Sequence, residues 1–133
     1  MEWLFIMKYN DENRGIIQNR KYAKQINNFS GLRVKNITPT DIDGFIDFGN
    51  KKFVFIEMKY RGAKLPYGQR LALERLIDSC NKDAVLIIAQ HDTESGDIDV
   101  ANSIVREYRY KKKWTTQFKV ITVYDAVLKF LEK

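Results

Sequence analysis

Apolar residues recur with the period of a β-strand on both sides of one short turn. The stretches Asp43–Phe48 and Lys52–Tyr60 both fit strands, and Gly49-Asn50 between them is a typical turn pair. The second stretch begins apolar on both of its faces, which is typical of a strand that is covered on both sides. We therefore predict a β-hairpin whose second strand lies inside a sheet.

The alternation also predicts which side chains of the hairpin share a face. In the register that pairs Phe45 with Phe55, Asp43 lies opposite Glu57 on one face, and Lys59 follows two residues later. A slip of one residue would send the acids and Glu57 to opposite faces. The sequence alone does not choose between these registers, but the first of them gathers two carboxylates and an ammonium group at the open end of the hairpin.

The same patterns divide the rest of the chain into helices and strands. Trp3–Met7 fits either a short strand or a helical turn. The other predicted elements are a helix over Asp11–Asn28, a strand over Leu32–Ile37, a helix over Tyr67–Ser79, a strand over Ala84–Ala89, one strand or two over Ile98–Tyr110, and a helix over Thr122–Lys133. This order predicts an α/β fold with a mixed β-sheet flanked by helices, an αβββαβ core with a C-terminal strand and helix. Since the chain has 133 residues, of which 44% are apolar, we expect a single domain over residues 1–133.

The Tyr67–Ser79 helix carries one polar residue on its apolar side. Gln69 lies one turn before the apolar positions on the same stripe, so its side chain is predicted to point toward the sheet. A buried glutamine needs partners, which leaves two alternatives: a bond to a functional group, or an ordinary bond to the backbone near the helix start. The predicted buried stripe consists of Ala72, Leu73, Leu76, Ile77 and Cys80.

The composition favours an anionic partner and a reducing compartment. The net charge of +6 and the isoelectric point of about 9.4 make nucleic acid the first candidate, although many small basic proteins bind none. Cys80 is the only cysteine, which excludes an internal disulfide framework and a cysteine-rich zinc site. No apolar run approaches a membrane span, and the first residues lack the pattern of a secretory signal. We therefore expect a cytoplasmic protein with no membrane partner.

Basic residues cluster in two places that suit a phosphate backbone. One is the loop after the hairpin, and the other is a tract of basic and aromatic residues that ends at Trp114. The alternative for the tract is an edge strand protected by lysines. For His91, the only histidine, a solvated loop is favoured over a place at a strand end. The predicted nucleic-acid-binding residues are Arg61, Lys64, Arg106, Arg109, Lys111, Lys112 and Lys113.

The acids of the hairpin suggest a metal site. Two carboxylates at the edge of an apolar core, here Asp43 and Glu57, are costly unless a positive charge joins them. A hard cation such as Mg²⁺ is a natural partner, because it takes oxygen ligands and keeps water molecules for a phosphate substrate. A lysine close by, here Lys59, can hold such a water or stabilise charge that develops on phosphate. These residue types point to phosphodiester hydrolysis.

Asp43, followed one hairpin later by Glu57-Met58-Lys59, resembles the motif of the PD-(D/E)xK nuclease superfamily. The segment Pro39-Thr40-Asp41-Ile42-Asp43 stands at the place of that family's Pro-Asp pair. Here the proline is not directly followed by an acid. Asp41 and Asp43 therefore both remain candidate ligands, with Asp43 favoured because it can face Glu57.

The resemblance implies a restriction-endonuclease-like core and a role for each residue of the motif. It implies that Asp43 and Glu57 bind Mg²⁺, for which Mn²⁺ substitutes, and that a backbone carbonyl near Met58 is a further ligand. It also implies that Lys59 orients or activates the attacking water. Gly68-Gln69-Arg70 at the start of the next helix is similar to members of the family that place a glutamine close to the active site.

For the whole protein, the resemblance implies a Mg²⁺-dependent DNA nuclease. A structure-selective endonuclease of DNA recombination or repair, similar to the Holliday-junction resolvases, fits best, since 133 residues leave no room for a separate specificity domain. Such resolvases are often homodimers. RNA cleavage is one alternative. Another is a catalytically inactive nuclease fold that serves as a DNA-binding or protein-interaction module.

Overall fold

The computed structural model describes residues 28–133 of the chain. These residues belong to two compact units, residues 28–39 to the first and Thr40–Lys133 to the second, and each unit is described by itself. The predicted elements Trp3–Met7 and, except for its last residue, Asp11–Asn28 lie outside the described residues. The single domain expected over residues 1–133 stays a prediction.

Two consecutive tight turns replace the strand that was predicted over Leu32–Ile37. The first is a 3-10 turn, Ser30–Leu32. In the second, Val34 and Ile37 exchange main-chain hydrogen bonds of 3.0 and 2.9 Å. The Lys35-Asn36 pair between them has φ angles of 53° and 62°. Asparagine adopts this left-handed conformation more readily than most residues, so the chain reverses where an extended strand was expected.

The unit Thr40–Lys133 is a five-stranded sheet with a helix packed on each face. Its elements are β1 (Gly44–Phe48), β2 (Lys52–Tyr60), α1 (Tyr67–Ser79), β3 (Asp83–His91), β4 (Ile104–Tyr110), β5 (Lys113–Thr115) and α2 (Val123–Leu131). The strands lie side by side in chain order. The pair β2–β3 is parallel and the other pairs are antiparallel, so α1 is the crossover that the parallel pair requires. The predicted α/β class with a mixed sheet is confirmed. No helix among residues 28–133 is long and apolar enough to cross a membrane.

The hairpin of β1 and β2 forms as predicted, in the register that gathers Asp43 and Glu57. Phe45 lies opposite Phe55, with their ring centroids 5.0 Å apart. Gly49 and Asn50 in the turn have φ angles of 65° and 62°, a conformation that glycine and asparagine tolerate best. The main-chain nitrogen of Asn50 also donates to Oδ1 of Asp47 at 2.6 Å. This local chemistry fixes the register and, through it, the face on which each charged residue of β2 lies.

Each face of the sheet buries its own apolar cluster. Leu86 and Ile88 of β3 pack against Leu73 and Ile77 of α1, while Ile87 points to the opposite face, beneath α2. These three strand residues are at most 1% exposed, so burial of each stabilises the fold by roughly 2 kcal/mol. The continuous apolar run therefore forms a strand covered on both sides, as predicted, and β3 is longer than the run at both ends.

Two side chains lie outside their predicted environments. Leu76 is 39% exposed, because α1 meets the sheet along the line of Leu73 and Ile77. His91 belongs to β3 and not to a solvated loop, since the parallel ladder continues to the Tyr60–His91 pair. The rings of Tyr60 and His91 pack edge to face at 5.6 Å.

The segment before β4 is a turn, whereas the sequence predicted a strand from Ile98. The hydroxyl of Ser103 donates to the main-chain oxygen of Asp99 at 2.9 Å, and Nδ2 of Asn102 donates to Oδ2 of Asp99 at 2.6 Å. A side chain that bonds to the local backbone, as that of Ser103 does, competes with strand pairing. The strand consequently begins only at Ile104.

Both ends of α2 are fixed by side chains from outside its helical residues. Oγ1 of Thr122 accepts a 3.1 Å hydrogen bond from the main-chain nitrogen of Asp125, which is the predicted N-cap. At the other end, Nζ of Lys52 donates to the main-chain oxygens of Phe130 and Lys133, both at 2.8 Å. Lys52 thereby satisfies carbonyl groups that the end of a helix leaves free and places a positive charge at the negative end of its dipole.

Candidate active site

Glu57 is a buried carboxylate on β2. The strand alternation places it on the face covered by α1, where it is 2% exposed. Its Oε1 accepts a 2.8 Å hydrogen bond from Nε2 of Gln69. Its Oε2 is buried with no hydrogen-bond partner within the part of the chain that the structure describes. A buried carboxylate oxygen without a partner is costly, so Oε2 is an acceptor available to a cation.

The pKa of Glu57 is raised from its ordinary value of 4.5 to about 7, chiefly by burial and then by the negative charge of Asp43. The nearby ammonium group of Lys59 acts in the opposite direction and limits this rise. The carboxyl group therefore holds its proton to a much higher pH than an exposed glutamate does. A cation beside it would favour the ionised form.

Asp43 lies immediately before β1, and its side chain is tied to β2. Its Oδ2 accepts a 2.7 Å hydrogen bond from the main-chain nitrogen of Met58. This bond brings its charge close enough to Glu57 to raise the pKa of that residue, as the register predicts. Asp41 raises the same pKa by a smaller amount. Of the two acids, Asp43 thus interacts more strongly with Glu57.

Gln69 links Glu57 to Lys59. Its Oε1 accepts a 3.2 Å hydrogen bond from Nζ of Lys59, and its Nε2 is the donor to Glu57. Nζ of Lys59 also lies 3.5 Å from Oε1 of Glu57. Gln69 stands in the first turn of α1, so its side chain points toward the sheet as predicted. It bonds to these two side chains, which favours the first of the two alternatives for this residue.

The donors at this site fit a magnesium ion that keeps water ligands. Among residues 28–133, no group of three or more His, Cys, Asp or Glu side chains is arranged to hold a metal ion. Asp43 and Glu57 supply two carboxylates, and Oε2 of Glu57 accepts no hydrogen bond from residues 28–133. Mg²⁺ is commonly bound by one or two carboxylates, with water and substrate phosphate completing its coordination. A main-chain ligand near Met58 stays a prediction.

Arg106 braces the loop that follows β2. It stands where the β3–β4 ladder shifts register. Its Nη1 donates to the main-chain oxygen of Ala63 at 2.7 Å, and its Nε donates to Oε1 of Gln90 at 3.3 Å. Gln90 is the cross-strand neighbour of Lys59. Arg106 therefore lies at the same end of the sheet as the Glu57–Lys59 pair.

Arg61 and Lys64 are exposed on this loop. The main-chain nitrogen of Arg61 donates to the main-chain oxygen of His91 at 2.7 Å, which fixes the start of the loop to the end of β3. The structure thus brings Arg61, Lys64 and Arg106 together near the end of β2 that carries Lys59. These three predicted nucleic-acid-binding residues stand where a phosphate backbone could approach the carboxylates.

Arg109 is not placed to bind a phosphate backbone, contrary to its predicted role. It is 8% exposed, and its guanidinium group bonds to both oxygens of Asp78, at 2.8 and 2.6 Å, and to Glu74 at 3.0 Å. The alternation of β4 turns it toward α1, where these acids satisfy it. Arg109 is a structural link between β4 and α1.

The lysines after β4 lie away from the carboxylates. Lys111 and Lys112 form the turn before β5 with φ angles of 51° and 63°, and Lys113 begins β5. Their end of β4 pairs with Val85, near the start of β3, whereas Glu57 pairs with Ile88 farther along it. All three lysines are exposed. The tract predicted as one nucleic-acid surface is therefore divided between two ends of the sheet.

Sequence reasoning missed a cluster that fixes the start of α1. Arg70, directly after Gln69, forms a 2.8 Å ion pair with Glu107 of β4, and its guanidinium lies 3.9 Å from the ring centroid of Trp114. Nε1 of Trp114 donates to Glu74 at 3.0 Å. The available signal was the alternation of β4, which puts Glu107 on the face of α1. The cluster holds the helical turn that carries Gln69 against the sheet.

Comparisons with known proteins found no relative of this chain. No protein-family model, no curated protein and no solved structure matches this chain.

Proposed function

We propose that the protein is a Mg²⁺-dependent nuclease that hydrolyses phosphodiester bonds in DNA, with a site of the PD-(D/E)xK type. The observation that carries the proposal is Glu57, a carboxylate that is 2% exposed, lies beside a second acid and keeps one oxygen unpartnered among the described residues. A fold gains no stability from such a group, since burial disfavours its charge. The arrangement is understandable if the carboxylate binds a cation.

The order of elements supports the same proposal. An antiparallel hairpin carries the two acids, and α1 then connects it to the parallel strand β3. This arrangement is consistent with the core that the motif resemblance implies. The strand predicted before the hairpin is replaced by turns, so the supporting part of the core is β1–β2–α1–β3.

The residues of the site divide the work of hydrolysis. Asp43 and Glu57 would hold Mg²⁺ through their carboxylate oxygens, and the ion would supply Lewis-acid chemistry when bound. Lys59, aligned by Gln69 at 3.2 Å, presents its ammonium group to the attacking water or to the charge that develops on the phosphate. Gln69 keeps Lys59 beside Glu57 instead of in solvent.

The basic residues near the site favour nucleic acid as the substrate. The net charge is +6, and Arg61, Lys64 and Arg106 stand at the site's end of the sheet. We propose structure-selective cutting of DNA by a cytoplasmic, resolvase-like enzyme that acts as a homodimer in recombination or repair. Mn²⁺ is expected to replace Mg²⁺.

A second candidate function is a nuclease fold that binds DNA or a protein without cutting. One observation favours it: Oε1 of Glu57 has both Gln69 and Lys59 as partners, and Asp43 bonds to the main-chain nitrogen of Met58. These contacts hold the four side chains in place without a metal. The two candidates differ in whether phosphodiester bonds are broken.

A cleavage assay separates the candidates. Purified protein is incubated with Mg²⁺, Mn²⁺ or EDTA and with labelled four-way-junction, flap, duplex and single-stranded DNA, together with a hairpin RNA. We expect metal-dependent cutting of at least one DNA. Glu57→Gln and Lys59→Ala should each reduce the rate by about 100-fold or more, since they remove a metal ligand and a cation at the phosphate. Lys51→Ala, an exposed lysine of the hairpin turn, is the matched control and should leave the rate unchanged.

Binding to the same probes is measured by electrophoretic mobility shift. Retained binding by the inactive variants supports the assigned roles, whereas cutting that persists in both variants overturns the site. Binding without any cutting supports the second candidate. Cutting of RNA alone would change the substrate class and keep the site.

A further inference from the structure

A cavity lies on the face of the sheet opposite the candidate active site. It has a volume of about 320 Å³, at the small end of the range of about 300–1,000 Å³ typical of ligand pockets. Ile87 and Val105 line it from the sheet, and Ala126 and Phe130 line it from α2. Glu57 faces α1 on the other side, so the cavity is separate from the carboxylates. Binding in this cavity is independent of the proposed nuclease function.

Aromatic rings form much of the wall of this cavity. Tyr108 packs against Phe118 with ring centroids 5.4 Å apart, and Tyr110 packs against Phe130 at 5.8 Å. Rings held in such pairs present flat, apolar surfaces of fixed orientation. An apolar chain or ring can replace water against them at little cost in side-chain entropy.

Three lysines complete the lining, and no lining residue is acidic within the described part of the chain. They are Lys119, Lys129 and Lys133, and Nζ of Lys133 lies 4.7 Å from the ring centroid of Tyr110. An acid close to this wall is Asp83, which interacts with the hydroxyl of Tyr110 and lies 3.5 Å from Nζ of Lys52. Its charge is thus already matched by Lys52. The charged residues that line the cavity are therefore all positive.

We propose that this cavity binds a small amphipathic anion, with its apolar part against the aromatic wall and its single anionic group at the lysines. Apolar walls reject a fully hydrated anion such as acetate, because nothing there replaces its hydration. The lysines in turn favour an anion over a neutral alcohol or a cation of the same chain length. The class of ligand is therefore a medium-chain or aromatic acid.

The probe for a direct test is 1-anilinonaphthalene-8-sulfonate, an aromatic sulfonate whose fluorescence rises in apolar surroundings. We expect saturable binding to one site per chain. Decanoate should displace the probe at a concentration roughly tenfold lower than decanol or decyltrimethylammonium, which share its chain and differ in charge. Acetate should not displace it. Equal competition by decanoate and decanol would overturn the role of the lysines.

Two variants locate the site. Ala126→Phe fills the cavity from α2 and should weaken probe binding at least about tenfold, whereas Ala63→Phe on the exposed loop after β2 should not. Circular dichroism and the urea midpoint show whether the filled variant is folded.

The charge-reversed double variant Lys129→Glu/Lys133→Glu decides the question without filling the core. It should weaken decanoate binding about tenfold and leave decanol binding unchanged, relative to Lys51→Glu/Lys64→Glu, which reverses two exposed lysines that do not line the cavity. Probe binding that none of the cavity variants alters would overturn the proposal. Loss of decanoate binding in both double variants would show a general charge effect and would also overturn it.

Discussion

Nε2 of Gln69 donates a 2.8 Å hydrogen bond to the buried Oε1 of Glu57, across the contact between α1 and β2. The bond makes the environment of a carboxylate on the sheet depend on the position of a helix. Arg70, the next residue, anchors the same helical turn to Glu107 and to Trp114. The ionisation of Glu57 and the docking of α1 are therefore linked, and each can be measured.

Glu57→Gln should make the metal-free protein more stable at high pH. The raised pKa of Glu57, from 4.5 to about 7, means that the folded state keeps a proton which the unfolded state releases. Stability of the wild type should therefore fall as pH rises from about 4.5 to about 7, by on the order of 3 kcal/mol. Glutamine removes this loss and can still accept the bond from Gln69.

Urea unfolding of both proteins in EDTA at pH 4, 6 and 8 measures the effect. The free energies of unfolding of the wild type and of Glu57→Gln should agree at pH 4, and the variant should be more stable at pH 8. A difference that is the same at all three pH values would contradict the assigned pKa. Added Mg²⁺ should stabilise the wild type and not the variant at pH 8, if the carboxylate holds the ion.

Gln69→Ala should raise the pKa of Glu57 above its wild-type value. The hydrogen bond from Gln69 lowers that pKa, whereas burial and the charge of Asp43 raise it. Removing the hydrogen bond should therefore raise the pKa. A carbon-detected NMR titration of the Glu57 carboxyl group in EDTA reports the shift. Stability should fall by about 1–3 kcal/mol, since a buried acceptor loses its donor. Arg75→Ala, an exposed position on α1, is the control that should move neither quantity.

Arg109→Met should destabilise the protein strongly and leave the salt dependence of DNA binding unchanged. Arg109 holds Asp78 and Glu74 within a site where it is 8% exposed, and removing one member of such a network typically costs about 3–5 kcal/mol. We expect a loss of stability at the low end of this range, because the side chains of Asp78 and Glu74 are partly exposed to water. Lys112→Met, in the exposed turn nearby, should change stability little.

The pH dependence of stability tests whether the Arg109–Asp78 ion pair is the source of this loss. The hydrogen bond from Arg109 lowers the pKa of Asp78 below its ordinary value of 3.8. Its stabilising effect is therefore present above that value and is lost as pH falls through the lower, folded-state pKa. The stability gap between wild type and Arg109→Met should shrink in acid below about pH 4. A gap that persists unchanged at pH 2 would show that packing, and not this ion pair, sets the cost.

Lys52→Met should loosen the last turn of α2. The change removes the donor that bonds to the main-chain oxygens of Phe130 and Lys133. Loss of hydrogen bonds from a charged donor should cost about 1–3 kcal/mol. Hydrogen exchange of the amides in the last turn of α2 should quicken more than exchange in α1. Lys51→Met, one residue earlier in the exposed turn, should leave both unchanged, and equal quickening in the two variants would contradict the clamp.

The sequence predicts best where one local rule determines structure. Alternation and Gly49-Asn50 predict the hairpin and its turn, and the observed register is the one in which Asp43 approaches Glu57. The sequence offered this register without excluding a slip of one residue. The bounds of β2 and α1 follow from equally regular patterns. The Gln69–Glu57 bond could be anticipated only as a direction, because its partner depends on how α1 docks.

The errors lie where tertiary partners or short turns decide. Arg109 and Lys111 look alike in the sequence, yet one is buried against Asp78 and the other is exposed, and only the packing of α1 distinguishes them. Val34 and Ile37 are typical of strands, but the Lys35-Asn36 pair between them reverses the chain. The pattern of apolar residues predicts neither the packing of α1 against Arg109 nor the reversal of the chain at Lys35-Asn36.

The β1–β2 hairpin has a consequence for the order in which the site is assembled during folding. Asp43 and Met58 are joined within a short loop, whose closure takes microseconds or less, whereas Glu57 meets Gln69 only when the helix docks. The two acids therefore come together while both are still hydrated, and their repulsion is weak at that time. The cost of burying the charge arises only when the helix excludes water from Glu57. With the hairpin formed in the transition state and the helix contact made after it, ionisation of this carboxyl should change the unfolding rate more than the folding rate, and unfolding should be slower at a pH at which the carboxyl is neutral.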